Sequence, residues 1–461
     1  MARIRNPMNS LERRSVAALG GVLSLRMFGL FMVLPMMALY AAGLDGATPL
    51  RVGLALGVYG LTQAIFQIPF GILSDRLGRK PLIIAGLGLF LLGSIVAALS
   101  DEIMGVIIGR ALQGSGAIAA VILALVADLT RDQQRTKAMA LMGMSIGASF
   151  LFALMAGPVL DQWFGMDGLF WMTAVLAFFA SGLVIWVVPT PPRTSGDPVS
   201  GAAAGHFLEV LKSSQLLRLD VGIFLLHMVL TALFVAVPFA LVDVLALERD
   251  AHWRVYVPVL LVSIVLMAPM LIAGMRRQLT FVVFRIAIAL LLGAFSLLVA
   301  GHERALTLLA GIGIFFIGFN LLEAMLPSLV TRIAPGYAKG TATGVYNTFE
   351  FFGVFVGGAL GGLLHGAYGG TGVFVFCALA SFAWLLLSFF GSPPQLRESL
   401  TLRLNPDNTD DASIERALSL LPGVDQVSFF SRDRIVYLRV NEEEFDRGAL
   451  RDIKGLVDSA D

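Results

Sequence analysis

From residue 16 to residue 391 the chain keeps returning to apolar runs long enough to cross a bilayer. A helix needs about 20 apolar residues to traverse the hydrocarbon core. Runs of that order occupy residues 16–40, 50–72, 81–99, 104–127, 137–160, 168–189, 219–242, 253–274, 280–300, 305–328, 341–364 and 371–391, twelve in all. Lipid offers the backbone no hydrogen-bond partners, so each run is read as a helix. Gly and Pro inside such helices are tolerated. With 57% hydrophobic and 14% charged residues, a water-soluble fold would be left with an apolar surface. The single cysteine, Cys377, lies within an apolar run, which excludes an internal disulfide and argues against a thiolate metal centre.

The N-terminal stretch "MARIRNPMNSLERRS" places Arg3, Arg5, Arg13 and Arg14 before the first run. That run is too long for a signal-peptide core and no small-residue cleavage pattern follows it, so it is read as a retained first span. Arg76, Arg79, Lys80, Arg131, Arg135, Lys137, Arg276, Arg277, Arg332 and Lys339 fall in loops on the same side as the N-terminus. The opposite side has Arg51, Arg249, Arg254 and Arg304, beside acids such as Asp101, Glu102, Asp161 and Asp167. The excess of Lys and Arg marks the cytoplasmic side. Both termini are therefore expected in the cytoplasm, in a multi-pass protein of the inner (cytoplasmic) membrane.

The longest loop among the spans, residues 190–218, includes most of the Pro/Gly/Ser/Ala-rich "PTPPRTSGDPVSGAAAG". It separates six spans from six, which predicts two similar halves, 1–189 and 219–391. Two short echoes agree: "LRM" at Leu25–Met27 recurs as "LHM" at Leu226–Met228, and "LTR" at Leu129–Arg131 as "VTR" at Val330–Arg332. The tail changes character. Residues 399–461 hold 8 Lys/Arg against 13 Asp/Glu, whereas the rest of the chain holds 25 against 19. Strand-like alternation over 399–405, 426–430 and 434–440, with helical patterns over 410–421 and 443–457, predicts a small cytoplasmic βαββα domain over 398–461, an α+β ferredoxin-like sandwich.

The loop between spans two and three reads "GILSDRLGRKPLII". Loop charge bias and a tight turn would explain Arg76, Arg79, Lys80, Gly78 and Pro81. Neither explains Asp75, nor Gly71 four residues before it. The stretch resembles the major facilitator superfamily signature G-x-L-x-D-R-x-G-R-K at every defined position. The resemblance implies a fold of two six-helix bundles. It also implies that Asp75 approaches the N-terminal end of span eleven, where the helix dipole favours an anion. The arginines would pair with nearby acids, Asp128 among them, and latch the halves together on the cytoplasmic side. "GRALQGSGAIAA", Gly109–Ala120, resembles the family's Arg-containing fourth-span motif, linked to proton transfer. Its Arg110 lies inside the bilayer, where an unpaired charge costs at least about 2.5 kcal/mol. "AGPVLDQWFG" keeps Gly157 and Pro158 of the fifth-span antiporter signature, but has Asp161 and Gln162 where that pattern has two glycines.

Few ionisable residues sit well inside the spans: Arg26 in span one, Arg110 in four, His227 in seven, Glu323 in ten and Glu350 in eleven. In the superfamily fold, spans one, four, seven and ten line a central cavity, so the first four are candidates for proton coupling. Glu323 leads, because a carboxyl in low dielectric can be neutral or charged near physiological pH. Each has a plainer reading: a carbonyl partner for Arg26, packing for His227, a neutral hydrogen-bond donor for Glu323, anchoring of span four for Arg110. Tyr59, Gln63, Gln67, Gln113, Asn320, Asn347 and Glu350 are candidates for lining the cavity, and equally for bonding helix to helix.

The resemblance implies a secondary transporter working by alternating access, read here as a proton-coupled efflux (drug:H+ antiport) protein. No Walker-type phosphate loop or nucleophile-base set appears, so neither ATP-driven transport nor enzyme activity is expected, and no cofactor or metal. The expected partners are the lipid bilayer, a small-molecule substrate and protons, with no nucleic acid; the tail either self-associates or docks on the basic loops. Two rivals stay open. One is an uncoupled facilitator or exporter of sugars or metabolites, and the other a membrane sensor signalling through the tail.

Overall fold

The computed structural model describes residues 8–190, 209–276, 279–335, 338–390, 398–404, 411–430, 435–440 and 445–453. Most of the expected 190–218 linker therefore lies outside the described residues. The chain divides into two compact units. The larger comprises Met1–Asp197, Asp220–Met325 and Asn347–Gly391; the smaller comprises Pro198–Leu219, Leu326–Tyr346 and Ser392–Asp461.

Among the described residues, ten helices are long and apolar enough to cross a membrane. Two of these, Lys137–Trp186 and Gly340–Leu387, run to 50 and 48 residues. Each is broken by one non-helical residue, Gly165 (φ 66°) in the first and Gly369 (φ 63°) in the second. A side chain would be strained at that φ, and glycine is not. Divided at these corners, the two supply spans five and six and spans eleven and twelve, and the ten helices become twelve spans. Spans two and three are Pro49–Leu77 and Arg79–Ala98, joined at Gly78 (φ 96°). Spans seven to ten are Ser214–Leu245, Trp253–Arg276, Thr280–Gly301 and Ala305–Ile333.

Two spans depart from continuous helices. The first is Ser10–Met32 followed, after a turn, by Met37–Ala42. The fourth is Ile103–Ser115 and Ala119–Asp128, with residues 116–118 outside any helix. A Cβ at Gly116 would overlap the carbonyl oxygen of Gly86 in span three. Backbone therefore meets backbone where the helix breaks. The Gly116 carbonyl, out of the helix ladder, accepts from Ile118 N at 2.9 Å and from Arg26 at 3.0 Å. This satisfies a group that lipid could not.

The start of span one is tied down by a capping box in which Asn9 and Glu12 exchange side-chain and backbone bonds. The buried Glu12 carboxylate also accepts from Arg131 Nε at 2.8 Å, Nη2 at 2.9 Å and the backbone N–H at 2.9 Å. This joins the start of span one to the loop after span four. Removing the carboxylate orphans several donors, while the half-exposed Arg131 can turn to water. Glu12→Ala is expected to cost about 1–3 kcal/mol, seen as a fall of several degrees in the thermal midpoint in detergent. An unchanged midpoint would show that this junction carries no stability.

In the smaller unit, β1 (Glu398–Arg403), β2 (Val424–Phe430) and β3 (Ile435–Val440) form an antiparallel sheet in the order β1-β3-β2. Leu402, Leu404, Val436, Leu438 and Val440 alternate onto one face and pack with Ile414 and Leu418 of the intervening helix Asp411–Ser419. The closing helix expected over 443–457 is not found among the described residues, which hold a six-residue 3-10 helix, Arg447–Asp452, instead. The local sequence gives the reason. Asp446 accepts from Gly448 N at 2.8 Å, tightening the first turn. Leu450 and Ile453 pack against the sheet core three residues apart, the 3-10 repeat. The described tail thus stops short of the expected two-helix sandwich, and a ferredoxin-like domain is not established.

Candidate functional site

The charged loop between spans two and three is organised around Arg79. Its guanidinium pairs with Asp75 at 2.5 Å and Asp128 at 3.2 Å, and donates to Ser74 Oγ at 2.6 Å. Lys80 Nζ donates to the Val188 carbonyl at 2.7 Å. Arg76 is exposed, and a Cβ at Gly71 would meet nothing within 4 Å. Asp75, Arg79 and Asp128 are thus brought together, all within the first six spans.

A second cluster forms deep in those spans. Arg26, fully buried, donates through Nη2 to Tyr59 Oη at 2.9 Å and Gln63 Oε1 at 2.8 Å, besides Gly116 O. Gln63 Nε2 continues to Gln67 Oε1 at 2.9 Å. Tyr59, Gln63 and Gln67 share a helix face because they are four apart. Arg110 lies 5.1 Å over the Tyr59 ring and donates to Gln113 Oε1 at 2.8 Å. Gln113 in turn donates to Ser94 Oγ of span three at 2.8 Å. Both arginines are thus held by neutral acceptors and aromatic faces. Among the described residues no carboxylate lies beside them, and Arg26 Nε and Nη1 have no hydrogen-bond partner.

The third cluster joins spans seven, ten and eleven. His227 is buried, with Nε2 3.5 Å from Glu350 Oε1 and 4.0 Å from Glu323 Oε2. The Glu350 and Glu323 side chains are 18% and 29% exposed, while the imidazole and the Glu323 Oε2 that faces it are enclosed. A narrow cavity with space for about one or two waters is lined by Tyr59 and Arg110 from one half and His227, Thr231 and Glu350 from the other. Of the other residues read as cavity lining, Gln63, Gln67 and Gln113 are buried in the hydrogen-bond chains just described. Asn320 is buried too and donates to Ser263 Oγ of span eight at 2.8 Å. Asn347 is half-buried. These four bonded side chains tie helices or successive helix turns together instead of facing the cavity.

The halves meet along spans two and eleven. A Cβ at Gly53 would overlap the Gly358 carbonyl oxygen, one at Gly60 the Phe351 carbonyl, and one at Gly362 the Pro49 carbonyl. This seam covers only the half of span two nearer the arginine-poor loops. Over residues 65–77 only Gln67 and Ser74 are buried. Gly157 does similar work within the first half, where its Cβ would overlap the Met32 carbonyl, and Pro158 is buried beside it. Three features escaped the sequence reading. Nothing in the sequence marks Glu350, a lining candidate, as a partner of His227. The pair of Asp161 with Arg249 was not foreseen, and neither was Asp220, a buried carboxyl in span seven whose Oδ2 has no partner among the described residues. Asp220 was legible as an acid just inside an apolar run.

A family profile described as Major Facilitator Superfamily matches residues 19–358 and 286–438. The chain is 42% identical over 436 residues to the inner membrane transport protein YajR of Escherichia coli, covering 95% of this chain and 96% of that protein. It is 26% identical over 336 residues to the multidrug resistance protein MdtH of Yersinia enterocolitica, covering 72% and 81%. A crystal structure of a bacterial homologue of the human lysosomal transporter Spinster, inward-facing and unoccupied, superposes with a TM-score of 0.65 at 14% identity. That superposition covers 82% of this chain and 97% of the other and speaks to the fold alone.

Proposed function

The chain belongs to the Major Facilitator Superfamily, and from that premise we propose that it is a proton-coupled efflux antiporter, driven by the proton gradient and not by ATP. It is a multi-pass membrane transporter and not an enzyme. Its similarity to an inner membrane transport protein supports the inner membrane as its location. The Lys and Arg of the short loops support cytoplasmic termini. The similarity to a multidrug resistance protein supports a drug-like small molecule as substrate.

The observation that carries the coupling is the grouping of Glu323 and Glu350 around His227, the last two of which line the cavity between the halves. Three titratable groups on three helices hold one or more protons among them, and each proton changes the net charge of the site. Membrane-embedded groups of this kind serve as proton relays when they face a watered cavity. A proton arriving from outside occupies the cluster once substrate has left, the proton-loaded and substrate-free carrier turns inward, and the proton departs to the cytoplasm before the next substrate binds. The differential charge biases the equilibrium between the two access states. Arg110 and Arg26 hold the first half around the broken fourth span and keep positive potential near the site. Asp75, Arg79 and Asp128, whose pairs are already formed within the first half here, and their neighbours Gly71, Arg76, Gly78 and Lys80 would supply that half's side of a cytoplasmic latch that closes on the second half in the outward-open state.

For the tail, the ferredoxin-like reading is kept as a proposal, supported by the β1-β3-β2 strand order and the helix between β1 and β2. Self-association and docking on the basic loops are its candidate roles.

The test is purified protein in proteoliposomes with an imposed pH gradient and a panel of labelled compounds. A coupled antiporter moves protons against a transported compound in a fixed ratio. Substrate flux with no accompanying proton movement would replace this reading with an uncoupled facilitator or exporter.

A further inference from the structure

Asp161 occupies one of the two positions where the antiporter signature has glycine, and it does not sit idle. Its carboxylate accepts from Arg249 Nε at 2.8 Å. Asp161 belongs to span five in the first half, and Arg249 to the short connection between spans seven and eight in the second. The Asp161 side chain is completely enclosed, and its Oδ1 has no hydrogen-bond partner among the described residues. Arg249 is therefore the charge that balances it. The arginine is also held from behind. It lies 6.0 Å over the Tyr40 ring, and Tyr40 Oη donates to Asp167 at 2.7 Å.

The segment that presents Arg249 is built rather than loose. Ala246 turns the chain with φ 51°, a conformation that favours glycine, and the 3-10 turn Arg249–Ala251 follows. His252, fully buried, bonds the Leu247 carbonyl through Nε2 at 3.1 Å and closes the turn. The pair lies at the arginine-poor end, where the glycine seam of spans two and eleven also begins. Both contacts bridge the halves at the same end.

We propose that Asp161 and Arg249 form the ionic gate on the face opposite the Asp75–Arg79 latch, a pair that exists only while that face is closed. Alternating access requires the halves to part there, and parting must break this bond. The physics permits it. Enclosing the Asp161 carboxylate costs nearly what its attraction to the partly exposed Arg249 returns, so the pair can exchange partner for water without a large penalty. Loss of Arg249 is different, since it leaves the Asp161 carboxylate bare and enclosed in the closed state and hydrated in the open one. Loss of Asp161 breaks the same bond across the halves and lets the partly exposed Arg249 turn to water. Neutralising either residue therefore biases the carrier toward the open face. The inference rests on alternating access and is independent of proton coupling.

The test uses the full-length protein in right-side-out membranes, with Leu34→Cys as reporter, since Leu34 also lines the cavity between the halves, and with Cys377 left buried in place. A membrane-impermeant maleimide is applied to the face carrying Arg249. Asp161→Asn and Arg249→Gln should each raise the labelling rate at least about tenfold. The charge swap Asp161→Arg with Arg249→Asp should return it toward the parent value, which also shows that the folded, inserted protein is being measured. Unchanged labelling in the single variants would overturn the gate. So would a swap that labels as fast as either single variant, since a structural disturbance would not be repaired by reversing two charges.

Discussion

In proteoliposomes, Glu323→Gln transports substrate no faster with a pH gradient than without one, a loss of about 100-fold in gradient-driven flux. Gln keeps the shape of the neutral side chain and removes its ability to gain or lose a proton. What remains is His227 with Glu350 at 3.5 Å, a pair with one carboxyl instead of a cluster with two. Exchange of substrate across the membrane at equal pH needs no net proton movement and is expected to survive. The split between lost gradient response and retained exchange separates a coupling role from misfolding. Unchanged pH dependence in this variant would reject Glu323 as the coupling group.

The other large effect comes from the seam between the halves. Gly358→Val should stop transport by denying the carrier one of its two states. A Cβ at Gly358 would overlap the Gly53 carbonyl oxygen and lie 2.8 Å from the Gly57 backbone nitrogen and Cα. None of these atoms is the end of a flexible side chain, so the helices must separate. Overpacking of this kind costs about 3 kcal/mol. The penalty falls only on the state closed at that end, and it shifts the ratio of the two states about 150-fold. Steady-state flux should fall accordingly while the protein inserts and purifies normally. Gly358→Ala should lie between. Flux equal to the parent in the Val variant would mean that the halves do not close backbone to backbone during the cycle.

Much of this was written in local patterns. Hydrophobic length marks the spans, and the Asp75–Lys80 loop carries its family signature in consecutive residues. Tyr59, Gln63 and Gln67 are spaced for one helix face, and the structure keeps them there. Sequence was silent where a bond joins residues distant in the chain. Arg249 reaches Asp161 across 88 positions, and Arg131 reaches Glu12 across 119. Nothing near Asp161 announces its partner, so it read only as a departure from a motif. The break in span four was hidden for another reason. "GSG" is unremarkable in a membrane helix, and only the approach of Gly86 and the waiting guanidinium of Arg26 make the interruption stable. In the tail, alternation revealed the strands, but the 3-10 turn near Leu450 came from three-residue packing that a helical period also fits.

Gly165 and Gly369 carry one more implication. Each turns a corner with a single residue, so the legs on either side leave the biosynthetic machinery as one hairpin with no slack between them. A protease finds no extended strand to thread at these corners, and an inserted epitope would have to unwind a helix to be displayed. Attempts to map which side of the membrane they occupy by tagging or digestion will therefore report silence, and that silence should be read as geometry, not as concealment within the bilayer.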